Sequence, residues 1–431
     1  MENIAMTNKK NLIEKELHPF IKNFNYTKIS SKKLLTPNRL DIAFKLSFLE
    51  NLEKNKIFAE SIYKEHLRIL SLGKFQEPGN PKKNSFKKYY DSFIKINENI
   101  KENGFCSKTS IVPISNSNSI LNGSHRISSA IFNNKDVFCL RLLDVQSHNY
   151  DYNFFLDRGV NKFMLDYSIK KFIDYSDNVY VAFLWPVAKN KTEKVKKILG
   201  KILYEKDVSF TFNGSKNIIC EIYRKEKWLG TPENKFNGAL NKSSKCFNGD
   251  FNVKVFFFCD EKLKSVINKK KQIRELFNLG KHSIHITDTK EEAERTSNLL
   301  LNPNCIDFIN HSIPYRYLET LNRFNIQIQE NSKKKYIIKS KEYIETLLGI
   351  KDHNRNLSIP EDFFIYKRID PKYYFEYNGN EILGIKFLTS FSNQKLDPKF
   401  LKIIKLIKNK SYKEYFLDRV KSKIQFNFSI L

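Results

Sequence analysis

Five consecutive residues, Asn122-Gly123-Ser124-His125-Arg126, combine a turn, several hydrogen-bond donors and a cation. They stand between the strand-like Ser119-Ile120-Leu121 and the helix-like run Ile127 to Phe132. A glycine turn that opens into a helix leaves the first backbone N–H groups without intrahelical acceptors, at the positive end of the helix dipole. Ser124 adds a hydroxyl, Arg126 a guanidinium, and His125 an imidazole that can orient a ligand or shuttle a proton. Anion binding is the chemistry that calls for this set, and phosphate is its most direct form. An ordinary Asn-Gly turn with a serine N-cap and a surface cation would use the same residues. Phosphoryl transfer would further need a carboxylate, and Asp41, Glu60 and Glu65 lie upstream as candidates.

The elements around the hinge follow from periodicity and punctuation. Thr36-Pro37 marks a helix start, and Ile42, Leu46 and Leu49 recur at i, i+4 and i+7 within 39–53. A second helix begins after Ser85, carries Phe86, Tyr90, Phe93, Ile94 and Ile100 on one face, and ends at Gly104. Gln76 to Pro81 reads as a loop between them. Short strands follow at 110–114 and 137–142, flanking the polar turn Ser115 to Asn118, the hinge and one helix. From Asn178 onward, strands are expected at 180–184, 218–223, 253–259 and 282–287, with helices at 191–203, 263–277 and 290–300. Past Lys333 come a strand, a helix at 342–348, further strands and a lysine-rich helical end. The expected class is an α+β or α/β multidomain chain. Its parts are a helical and β-α region over 1–150, an open α/β sheet over 175–315 and a small α+β domain over 330–431.

Composition narrows the partners. The 431 residues carry a formal charge of +28, but only 13 of the 75 basic residues are arginine, and lysines are spread along the whole length. A nucleic-acid face draws on arginine forks, so a solvated lysine surface is the preferred reading and nucleic-acid binding the less favoured one. Cys106, Cys139, Cys220, Cys246, Cys259 and Cys305 show no paired spacing, which points to neither zinc nor a disulfide framework. The N-terminal residues lack the apolar run of a signal peptide, and no stretch reaches the roughly 18 apolar residues of a spanning helix. A soluble, cytoplasmic protein is expected.

Residues 105–143 resemble the core of the ParB/sulfiredoxin superfamily, in which a strand ends in a glycine turn and a His-Arg pair opens the next helix. Sulfiredoxins carry a cysteine before that pair; Ser124 stands there instead, which removes the sulfinic-acid chemistry. The resemblance implies a nucleoside triphosphate, ATP foremost, and a Mg2+ ion with it. Asn122, Gly123, Ser124, His125 and Arg126 would bind the nucleotide, with His125 as a catalytic candidate. The DNA-binding members continue into a helix-turn-helix, whereas this chain runs into Asp151 to Leu156 and then an α/β region.

Two further resemblances are looser. The run from Lys270 to Arg274, followed by Gly280 to Asp288, is similar to the nucleoside diphosphate kinase segment that holds a phosphorylated histidine. In that register His285 is the nucleophile, Lys281 and Arg274 supply cations, Asp288 takes the acidic end, and the fold implied for 175–315 is a ferredoxin-like sheet. A neutral imidazole attacking a phosphate needs such cations. The chain departs at Leu184-Trp185-Pro186, where that family has a lysine, and at Ile286, where it has glycine. His285 also reads as a polar strand position ahead of a Thr289/Glu292 capping box, and His282 and His285 would face opposite sides of a strand. Residues 336–383 resemble nucleotidyltransferase-like domains of surface-polysaccharide gene clusters through Leu347-Leu348-Gly349-Ile350-Lys351. Asn356-Leu357-Ser358-Ile359 replaces their metal-holding carboxylate pair, so that domain reads as degenerate. Together these imply a kinase-like phosphotransfer protein of bacterial surface-glycan (capsule or lipopolysaccharide) biosynthesis, acting on a small hydroxyl-bearing acceptor. A ParB-like nucleic-acid binder and a non-catalytic scaffold are the alternatives.

Overall fold

A computed structural model describes residues 12–22, 24–76, 83–224, 226–231, 234 and 236–311, together with 329–331, 335–338, 363–367, 371–377 and 380–383. These residues form a mixed α+β protein whose contacts divide it into two units, Met1–Asp177 and Asn178–Leu431.

In the first unit, β1 (Phe24–Ser30) and β2 (Val112–Ile114) flank β3 (Asp136–Leu142). β1 pairs antiparallel with β3, and β2 pairs parallel to it, as a strand-helix-strand crossover through the helix Ser124–Phe132 requires. The helices are α1 (Asp41–Lys54), α2 (Lys56–Leu70), α3 (Phe86–Asn103), α4 (Ser124–Phe132), α5 (Tyr152–Asp157) and α6 (Lys162–Tyr175). Ser85 caps α3 by accepting from the Lys88 amide, and Gly104 ends it at φ +70°. Phe48, Ala59, Tyr63, Leu67, Tyr89 and Phe93 knit α1, α2 and α3 into one apolar cluster. Thr36-Pro37 forms a turn ahead of α1 in place of a cap, with Thr36 Oγ1 donating to Asn38 Oδ1. Ser119 to Leu121 is no strand: Ile120 makes one isolated bridge to Ile114. The expected loop at 76–81 lies, beyond Gln76, outside the described residues.

The second unit holds four antiparallel strands, β4 (Val179–Leu184), β5 (Lys201–Ser209), β6 (Asn252–Cys259) and β7 (Ile284–Ile286), in the order β5-β6-β4-β7. Its helices are α7 (Thr192–Leu199), α8 (Phe212–Ile222), α9 (Asn237–Phe247), α10 (Leu263–Phe277), α11 (Lys290–Leu300) and α12 (Pro303–His311). One sheet face, carrying Ala182, Leu184, Phe256, Phe258, Ile284 and Ile286, packs on Val195 and Leu199 of α7 and Val266 and Ile273 of α10. Two expectations are corrected here. The helix placed at 191–203 stops at Leu199 because Gly200 turns the chain at φ +82°, and β5 follows. The strand placed at 218–223 is the end of α8, whose Ile218, Ile219, Cys220 and Ile222 are all buried. A helix buried on every side loses its periodic signal and looks like a strand.

Beyond α12, β8 (Gln329–Asn331), β9 (Lys335–Ile338) and β10 (Phe363–Lys367) form one antiparallel sheet. β11 (Tyr374–Tyr377) and β12 (Asn380–Leu383) form a hairpin. The expected helix at 342–348, the motif from Leu347 to Ile359 and the lysine-rich end lie outside the described residues.

Candidate functional site

The hinge of the first unit is built as a left-handed glycine joined to a helix. Gly123 sits at φ +89°, a conformation that calls for glycine, and a Cβ added there would also displace the Arg126 guanidinium, whose Nη2 it would meet at 2.7 Å. The first helical bond runs from the Ile127 amide to the Gly123 carbonyl at 3.0 Å. The amides of Ser124, His125 and Arg126 therefore precede the helical ladder, and the cap has no side chain to accept from them. The Asn122 side chain accepts from the Gly123 amide and leaves those three open.

Arg126 is a brace as much as a cation. Its Nη1 donates to Ser110 Oγ at 2.9 Å and to the Ile111 carbonyl at 3.2 Å, and Glu14 lies 3.8 Å from Nη2. Burial lowers its pKa, and Glu14 partly offsets that. His125 shares a 2.8 Å hydrogen bond with the Tyr63 hydroxyl and stands edge-on to Phe93 at 4.6 Å. Burial first, then Lys45 and Lys83, hold its imidazole well below its ordinary pKa, so it is neutral.

Behind the hinge lies a buried polar chain. Asp41 accepts from Arg39 Nε and Nη2 at 2.8 and 2.9 Å and from Lys45 Nζ at 3.2 Å. Burial works against ionisation of Asp41, but Arg39 and Lys45 outweigh it and hold the carboxyl far below its ordinary range. Arg39 Nη1 also donates to the Ile120 carbonyl, two residues before the hinge. Lys45 donates to His66 Nε2 at 3.3 Å, which leaves the His66 proton on Nδ1, where no partner accepts it. Asp41 thus has both oxygens committed. Glu65 is likewise bound to Arg68 and caps the Asn161 amide, and Glu60 pairs with Lys56 on the surface. Among the described residues no three His, Cys, Asp or Glu side chains converge. The side chains of the described residues do not fit a protein-held Mg2+; an accompanying ion would be held by the nucleotide's own phosphates.

In the second unit, His285 sits on β7, the edge strand, paired with Phe183 across β4. Tyr223, the residue that ends α8, meets its ring edge-on at 5.0 Å. Burial, then Lys270, Lys242, Arg274 and Arg295, push its pKa down to about 3. Neither ring nitrogen has a hydrogen-bond partner among the described residues. Lys270 is neutralised by Asp288 at 2.6 Å, which gives Asp288 a pairing role. Lys281 is exposed and offers its backbone: its carbonyl accepts from Lys242 Nζ at 2.6 Å. His282 belongs to a short turn before β7 and is no strand partner of His285. Glu292 accepts from the Asp288 amide at 2.8 Å while its own amide donates to Thr289 Oγ1, so the capping box closes one residue early. Trp185, where the kinase resemblance implies a lysine, is fully buried.

The local sequence runs hold both histidines but not the side chains packed around them. Tyr63 is 62 residues from His125, Lys242 comes from α9 and Tyr223 caps the end of α8, neither of which carries a motif. No protein family, curated protein or solved structure matches the chain.

The depressed histidines give a pH prediction. His66, His125 and His285 all have folded pKa values below their ordinary value of about 6.5. The unfolded chain therefore binds more protons between those values, and the stability they contribute is present above about pH 6.5 and lost as pH falls. For His285 that window runs down to about 3. The melting temperature should drop between pH 7.5 and 5; a flat profile would contradict neutral, buried imidazoles.

Proposed function

We propose that the protein binds a nucleoside triphosphate, ATP foremost, and transfers its terminal phosphoryl group to a small hydroxyl-bearing acceptor in bacterial surface-glycan biosynthesis. The observation that carries this reading is His285: a neutral imidazole with open ring nitrogens, on an edge strand, within the field of Lys242, Lys270, Arg274 and Arg295. Cations around a neutral nucleophile stabilise the charge on a transferring phosphoryl group without protonating the nucleophile.

The chemistry balances with these groups alone. An imidazole nitrogen lone pair attacks the γ-phosphorus, the bond to the β-phosphate oxygen breaks, and the diphosphate leaves. An acceptor hydroxyl then attacks the phosphorus, the P–N bond breaks, and the hydroxyl proton passes to the departing imidazole or to water. The strand order β5-β6-β4-β7, with α7 between β4 and β5 and α10 between β6 and β7, supports a ferredoxin-like reading with α8 and α9 inserted between β5 and β6, and with it the kinase resemblance.

In the first unit, the open amides after Gly123 and the neutral His125 beside Lys45 and Lys83 support the nucleotide-binding reading of Asn122 to Arg126. The ParB/sulfiredoxin likeness adds the nucleotide class, and the surface-glycan setting rests on the likeness of residues 336–383 alone. Thermal melting with ATP, CTP, GTP and ADP plus magnesium tests the binding half. A triphosphate at a hundred times its Kd should stabilise by about 2.7 kcal/mol. No shift with any of them would retire the reading.

A further inference from the structure

Two cations near His285 have no carboxylate. Lys270 is paired with Asp288, whereas Lys242 and Arg274 make no ion pair among the described residues. Lys242 rises from α9, and its Nζ is held by the Lys281 carbonyl at 2.6 Å, by His282 Nδ1 at 3.4 Å, and above the Tyr223 ring at 5.7 Å. That ring is the one standing edge-on to His285. Arg274, from α10, keeps a buried Nε without a partner. A cation lowers the cost of its burial by meeting a counter-charge, and within this cluster the neutral imidazole supplies none.

We propose that Lys242 and Arg274 form the phosphate-recognition pair of the second unit, fixing a phosphate dianion against the unpartnered ring nitrogens of His285. The proposal rests on the phosphotransfer reading for the identity of its ligand, the terminal phosphate of the nucleotide. Lys242 acts as a point charge aimed by three fixed neighbours, and Arg274 adds a guanidinium fork with a free N–H. Burial and the nearby Arg274 also lower the Lys242 pKa, as expected of a cation waiting for an anion.

The test follows the His285 imidazole by nitrogen NMR in the full chain while inorganic phosphate is added. In the parent protein the ring resonances should shift and saturate. Lys242→Met, which keeps the apolar stem, should weaken phosphate at least tenfold; Lys242→Arg should stay within about threefold. Arg274→Gln gives the same readout should loss of the Lys281 contact unfold the methionine variant. The pair is overturned if both neutralising variants bind phosphate like the parent, or if saturating phosphate leaves the His285 resonances unmoved. Phosphate binding that depends on Lys242, with no phosphoryl group ever found on His285, would sink the transfer reading and leave the pair standing. Transfer that persists in Lys242→Met at parental phosphate affinity would do the reverse.

Discussion

Replacing Asp41 with asparagine should destabilise the first unit by about 3–5 kcal/mol, the range expected when one partner of a buried ion pair loses its charge. The side chain keeps its shape, but Arg39 loses a two-pronged carboxylate and Lys45 loses its salt bridge, at positions where all three residues are buried. At roughly 2–4 °C per kcal/mol for a unit of this size, melting should fall by about 6–20 °C. The effect should reach the hinge, because Arg39 also holds the Ile120 carbonyl. Acid should imitate the substitution. The Asp41 pKa is far lower folded than unfolded, so its contribution is complete above about pH 4 and disappears only as pH falls well below that. Chemical denaturation that finds less than about 1 kcal/mol between the two proteins would show that the pair does not hold this region together.

His285→Asn should lower nucleotide-dependent phosphoryl transfer by at least about a thousandfold, since no neighbouring group can replace the attacking nitrogen. Its effect on stability should be under about 1 kcal/mol, because His285 gives up ring contacts with Phe183 and Tyr223 but no hydrogen bond. The variant should also lose part of the acid sensitivity described above, a readout independent of catalysis. A transfer rate within tenfold of the parent would move the nucleophile elsewhere, with His125 the next candidate.

Local chemistry was legible in the sequence and long-range assembly was not. The ends of α3 could be read because Ser85 and Gly104 act within one helical turn. The left-handed Gly123 and the helix it opens were readable for the same reason. β1 was not, because its partner β3 lies more than a hundred residues downstream and pairing, not propensity, makes it a strand. The candidate sites divide in the same way. His125 and His285 stand in recognisable local runs, whereas the Tyr63 hydroxyl and the Lys242 ammonium are delivered by helices packed from elsewhere. Lys281, four residues before His285, is the cation the local run offers, yet its carbonyl accepts from Lys242, which comes from 39 residues away.

The central claim is a phosphoryl group on His285. The full chain incubated with γ-labelled ATP, CTP or GTP should acquire acid-labile, base-stable label, traced to the peptide carrying His285 and discharged when the acceptor is supplied. Absence of acid-labile label with all three nucleotides, or label confined to another residue, would contradict it.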